Sequence, residues 1–207
     1  MAVRARRAPA RHGGRTATVT RGTAETDIRV TLNLDGRGRY EIETGVPFLN
    51  HMLEIFARHG FFDLSVRARG DVEVDDHHTV EDVGLCLGQG FREALGDKAG
   101  IRRFGEATIP LDEALVTTVV DLSGRPFFVY DVRIEQAKIG RFDVELIHDF
   151  LLAFTNQAAL NLHVRMASGR NPHHVVEAVF KSLARALDLA TQRDPRLSGV
   201  LSTKGSL

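Results

Sequence analysis

The chain repeats itself. FFDLSV (Phe61–Val66) aligns with ALNLHV (Ala159–Val164) at a spacing of 98 residues, and His77-His78-x-x-Glu81 aligns with His173-His174-x-x-Glu177 at 96. Two matches in the same order, differing by a loop two residues shorter, indicate a tandem duplication. Two similar halves are therefore expected, about 16–106 and 107–207. In the first, ATVTR, DIRVTLNLD (Ile28, Val30, Leu32 and Leu34 on one face) and GRYEIETG read as strands, broken at Gly36 and Gly45. PFLNHMLEIFARHG spaces Leu49, Met52, Leu53 and Phe56 as a helix between Pro47 and Gly60. FFDLSVRARG returns to strand, and His77 to Leu95 reads as a helix closed by Gly96. In the second half, EALVTTVVDLSG and PFFVYDVRI read as strands, VELIHDFLLAFTNQAA as a helix, LNLHVRMASG as a strand and NPHHVVEAVFKSLARALDLA as a helix. The expected unit is strand-strand-strand-helix-strand-helix, an α+β fold with the helices on one face of each sheet.

Composition narrows the partners. Twenty-seven basic residues balance 27 acidic ones, so no bulk charge favours nucleic acid or a membrane surface. No apolar run approaches the roughly 18 residues of a membrane span. Cys86 is the only cysteine, which rules out an intramolecular disulfide and a thiolate metal site. A reducing, cytoplasmic setting is expected. Residues 1–15, MAVRARRAPARHGGR, are basic and aperiodic and are expected to form a disordered arm. Their lack of acids also suits a transit peptide, although they contain no serine.

On a helix, His77 and Glu81 share a face, while His78 is rotated by about 100°. Imidazole is the commonest metal ligand, and a carboxylate adds charge for a hard divalent ion. One such motif reads equally well as a polar helix start, whereas two in a duplicated frame read as metal ligands. Neighbouring histidines that face different ways suggest two ions, each pair dividing its imidazoles between them. His51 adds a nitrogen donor; its counterpart at 98 residues is Asp149, with His148 one position away. These six side chains and the two glutamates give about four protein ligands per ion. Without thiolate, six-coordinate Mn²⁺ fits with positions open for substrate, and Zn²⁺, Fe²⁺ and Co²⁺ compete. His163 reads as a packed or half-exposed strand residue, His59 as a cap beside a helix-ending glycine, and His12 as part of the arm.

The motifs RGTAETD, GVPFLNHML, DVEVDDHHTVED, GIRRFG, PLDEAL, DLSGRP, GRNPHHVVEAVFKSLARAL and STKG run in this order from about Arg21 to the C-terminus. Together they resemble the imidazoleglycerol-phosphate dehydratase family. The resemblance implies two halves of ribosomal S5 domain 2-like fold, each with a mixed four-stranded sheet and two helices. It further implies a homo-oligomer of 24 subunits with pairs of Mn²⁺ ions at subunit contacts. The implied reaction dehydrates D-erythro-imidazole glycerol phosphate to imidazole acetol phosphate in L-histidine biosynthesis. Held between both ions as an imidazolate, the substrate ring would expel the adjacent hydroxyl, and the resulting diazafulvene-like species would acidify the neighbouring C–H. By the family's Arg-x-Thr-x-Glu-Thr motif, Glu25 takes that proton. Arg103, Arg125, Ser202 and Lys204 match phosphate-binding positions, and Lys181 a further substrate contact. His51, His77, His78, Glu81, Asp149, His173, His174 and Glu177 are the implied ligand set.

Two residues depart from the family pattern: Asn50 where an aspartate is usual, and Asp149 where a histidine is usual. The family register and the internal repeat both select Asp149 over His148 as the eighth ligand. Two other readings of the residues stay open. A dimetal phosphate-ester hydrolase would need no carbon base at Glu25. A metal-stapled, non-catalytic oligomer would have fully occupied coordination shells.

Overall fold

A computed structural model of the chain describes residues 14–207. The first half contains β1 (Thr16–Gly22), β2 (Thr26–Asn33), β3 (Tyr40–Glu43), α1 (Pro47–Gly60), β4 (Asp63–Gly70) and α2 (His77–Leu95). The second contains β5 (Phe104–Leu111), β6 (Ala114–Asp121), β7 (Phe127–Asp131), β8 (Lys138–Ile139), β9 (Phe142–Asp143), α3 (Leu146–Ala158), β10 (Asn161–Ser168) and α4 (Pro172–Thr191). The sheets have the same topology, β1-β2-β4-β3 and β5-β6-β10-β7. In each, two antiparallel pairings are followed by one parallel edge, β3 on β4 or β7 on β10.

Three details depart from the sequence expectation. β5 is a full strand that begins at Phe104, so the second half starts slightly before residue 107. The short β8–β9 hairpin lies between β7 and α3. Arg15, assigned to the arm, belongs to the fold: it pairs with Asp35 and donates to the carbonyl of Thr191. Residues 1–13 of the expected arm, including His12, lie outside the described residues.

Alternation along β2 sends Ile28, Val30 and Leu32 inward, leaving the other face exposed. On each sheet's inner face lie its two helices, and the helices of one half meet those of the other: α2 packs on α3, and α1 on α4. Two sheets thus enclose a double layer of helices. A ladder of buried rings crosses the seam, with Phe62 and Phe91 centred 5.1 Å apart and Phe91 and Phe154 5.4 Å apart. Glycines allow the close crossing. A Cβ on Gly88 would stand 2.4 Å from the carbonyl oxygen of Phe154, and one on Gly84 2.7 Å from that of Phe150. The crossing decides which side chains can meet at the helix starts.

Candidate active site

The α1–α4 contact brings His51 to the start of the opposite half's helix. Pro172 opens α4, and the Asn171 side chain accepts the N–H of His173, so the His-His pair sits in the first turn. Nε2 of His173 lies 3.3 Å from Oε2 of Glu177, and Nε2 of His51 3.7 Å from the same oxygen. These three form the one group of its kind among the described residues, with donor atoms all within 4.8 Å of one another. Ligand bonds of about 2.1 Å place donors on one ion roughly 3–4 Å apart, and the two histidine–glutamate distances fall in that range. Lys181, one turn further on, reaches the other Glu177 oxygen at 2.6 Å.

The α2–α3 contact builds the counterpart. Here the Asp75 carboxylate accepts the N–H of His77. Nδ1 of His77 lies 3.5 Å from Oδ2 of Asp149. Glu81 is half-buried one turn later, with no bonded partner among the described residues. The neighbouring His148 lies against Phe128 and Tyr130, at ring separations of 5.3 and 5.7 Å, and its Nδ1 is 3.3 Å from Asp149.

The second histidine of each pair turns elsewhere. Nδ1 of His78 lies 3.0 Å from Asp71, and its Nε2 is 3.9 Å from Oε2 of Glu25. Nδ1 of His174 lies 2.9 Å from Glu113. The Asp71 hydrogen bond raises the pKa of His78, and the Glu113 bond raises that of His174. His174 and the backbone N–H groups of Asn171 and Arg170 hold Glu113 down to about 2. Neither acid belongs to the expected ligand set. Asp71 lies within DVEVDDHHTVED and Glu113 within PLDEAL, but nothing in the spacing ties either to a histidine.

A separate cleft of about 710 Å³ gathers Arg103, Arg125, Ser202 and Lys204, four of the five substrate residues expected from sequence. Lys181 is absent from its lining and stands instead beside Glu177. The Arg103 fork binds Asp121 at 2.6 and 3.0 Å and donates to the carbonyl of Leu201. Arg196 adds a charge to the cleft wall that sequence reasoning missed. Lys98, also missed, is buried behind it near Gly124, and burial lowers its pKa. A lysine so enclosed carries no periodic signal that would distinguish it from a surface one.

A profile of the imidazoleglycerol-phosphate dehydratase family matches residues 44–187, a span containing all eight candidate metal ligands. Proteins of that name from Pelobacter propionicus and Geobacillus kaustophilus are 57% and 58% identical over 193 residues, covering 93% of this chain and 99% of each relative. The chain belongs to the imidazoleglycerol-phosphate dehydratase family. Members of this family are hydro-lyases. Solved imidazoleglycerol-phosphate dehydratases share the fold. That of Staphylococcus aureus has a TM-score of 0.79 at 37% identity, covering 86% of this chain and 99% of its own. That of Pyrococcus furiosus, in complex with (S)-C348, has 0.80 at 39%, covering 91% and 100%. No helix of the described residues is long and apolar enough to cross a membrane.

Proposed function

We propose that this chain dehydrates imidazole glycerol phosphate to imidazole acetol phosphate in histidine biosynthesis, using two Mn²⁺ ions per active site. The observation that carries the metal part of this reading is the His51–His173–Glu177 group, two nitrogens and a carboxylate oxygen converging from opposite halves. His77, Asp149 and Glu81 supply the related set, with Asp149 rather than His148 as the eighth ligand. His78 and His174 turn away from both sets, and imidazoles of neighbouring copies would complete the coordination of the ions. This arrangement favours a homo-oligomer, and the 24-subunit assembly implied by the family fits it.

The ions supply Lewis-acid charge for the substrate's imidazole ring. The chain's own side chains do the rest. Glu25 takes the proton from carbon: it is exposed at the β1–β2 turn, and its backbone N–H is fixed by the Thr23 hydroxyl at 3.1 Å. Arg103, Arg125, Ser202 and Lys204 hold the phosphate by charge-assisted hydrogen bonds. For Arg103 this means exchanging or sharing its present bond to the Leu201 carbonyl. Lys181 beside Glu177 adds a cation near the ring end of the substrate.

The test is an assay of the purified protein with imidazole glycerol phosphate and Mn²⁺. Appearance of the ketone product supports the reading; release of inorganic phosphate instead would establish the hydrolase, and neither product would leave a metal-stapled oligomer. Glu25→Gln is expected to lower kcat by about 10²–10⁴-fold with little change in KM. Near-normal turnover would remove Glu25 as the base.

A further inference from the structure

Duplication allows the two halves to be compared within one molecule. Leu32 opposes Leu64 between β2 and β4, and Val120 opposes Leu162 between β6 and β10. Leu64 and Leu162 are aligned in the repeat, so Leu32 and Val120 are equivalent. Seven residues before each stand Glu25 and Glu113. The two glutamates hold the same hairpin position, each beside the second histidine of its own half.

Their bonding differs. Glu113 is engaged through both oxygens: Oε2 meets Nδ1 of His174 at 2.9 Å, and Oε1 accepts the N–H groups of Asn171 at 2.7 Å and Arg170 at 3.2 Å. Glu25 stays 3.9 Å from His78 with a side chain 55% exposed. In that half, Nδ1 of the histidine is met by Asp71, from the loop between β4 and α2. The corresponding stretch of the other half, Ser168-Gly169-Arg170-Asn171, contains no acid. The Glu25 turn is secured by different atoms. Buried Asp82 accepts from Thr26 Oγ1 at 2.6 Å and pairs with Arg21 at 2.9 Å.

An ionised carboxylate only accepts hydrogen bonds, so Nδ1 of each ring carries its proton and Nε2 keeps a lone pair for a ligand. We infer that Asp71 and Glu113 are positioning residues that impose one tautomer on His78 and His174, and that Asp71 thereby leaves Glu25 free of histidine. The inference deepens the proposed function, since it rests on Nε2 of both histidines being ligand atoms. One job is done by non-equivalent acids in the two halves, and only one hairpin glutamate remains available for proton transfer.

Amide variants separate orientation from mere packing. In Asp71→Asn the amide oxygen can still face Nδ1, because the carboxylate has no other bonded partner among the described residues. In Glu113→Gln the N–H groups of Asn171 and Arg170 claim the amide oxygen. Its NH₂ is left facing Nδ1 of His174, forcing the Nε2–H tautomer. Mn²⁺ affinity by titration calorimetry should fall about 10–100-fold in Glu113→Gln and Asp71→Ala, and stay within about twofold of the parent in Asp71→Asn. On metal-free, ¹⁵N-histidine-labelled protein at about pH 8.5, where ordinary imidazoles are neutral, one ring should switch tautomer in Glu113→Gln and none in Asp71→Asn. Unchanged tautomers and parental affinity in both Glu113→Gln and Asp71→Ala would overturn the inference. Absence of Mn²⁺ uptake by the parent protein would instead sink the metal reading, and the tautomer pattern would still decide the roles of Asp71 and Glu113.

Discussion

Asn50 serves the turn before α1, where its Oδ1 accepts the Thr44 N–H at 3.0 Å and the Thr44 hydroxyl at 2.6 Å. Both partners donate, so only an oxygen is needed, and the aspartate usual in the family would fill the same role. Asn50→Asp is therefore expected to change stability by no more than about 0.5 kcal/mol, with unchanged Mn²⁺ content, checked by thermal melting and metal analysis. The proposed eighth ligand is a sharper case. Asp149→Ala should reduce bound Mn²⁺ to about half, while His148→Ala should leave it intact, because His148 is occupied with Phe128 and Tyr130. Asp35 provides the pH test. Its hydrogen bond to Arg15 holds its pKa below the ordinary aspartate range, so its contribution to stability is present above that range. That contribution is lost as pH falls through the lower, folded-state value. The melting-temperature gap between the parent and Asp35→Asn should be present at pH 5 and above and close on strong acidification.

At the scale of elements, legibility followed the size of the buried side chains. β2 was plain because Ile28, Val30 and Leu32 alternate with exposed neighbours. β5 was not, because the residues it turns inward include Gly105 and Ala107, which give no hydrophobic alternation. Its small residues have a tertiary cause: a Cβ on Gly105 would meet the carbonyl oxygen of Ala186 on α4 at 1.9 Å. The two-residue strands β8 and β9 are too short to carry any period. Gly84 and Gly88 lie in a helix that their low helix propensity should weaken, yet they permit α2 to approach α3. Gly88→Ala is expected to destabilise the protein by about 1–3 kcal/mol in denaturant unfolding, since backbone atoms of α3 would have to move. A neutral or stabilising result would show that the helix seam can open without cost.

Across the whole molecule, the duplication is put to use by exchange. Each early helix brings its candidate ligand to the later helix of the other half: His51 to His173 and Glu177, Asp149 to His77. Neither half alone assembles either group. If neighbouring copies complete the ions, chelation should lower both activity and the sedimentation coefficient, with Mn²⁺ restoring both. An unchanged sedimentation coefficient would confine the metal to a role within the subunit. The duplication, the helix starts that carry the paired histidines, the inward faces of most strands and the family motifs are all legible in the chain, because each is written in local spacing or residue identity. That α1 meets α4 and α2 meets α3, and that Asp71 and Glu113 face the second histidines, emerges only when the chain is folded. Folding also separates Lys181 from the Arg103–Lys204 cleft. Those meetings join residues 7 to 126 positions apart in the chain. Side-chain packing between helices and sheet edges selects them, and no periodicity within one element encodes that choice.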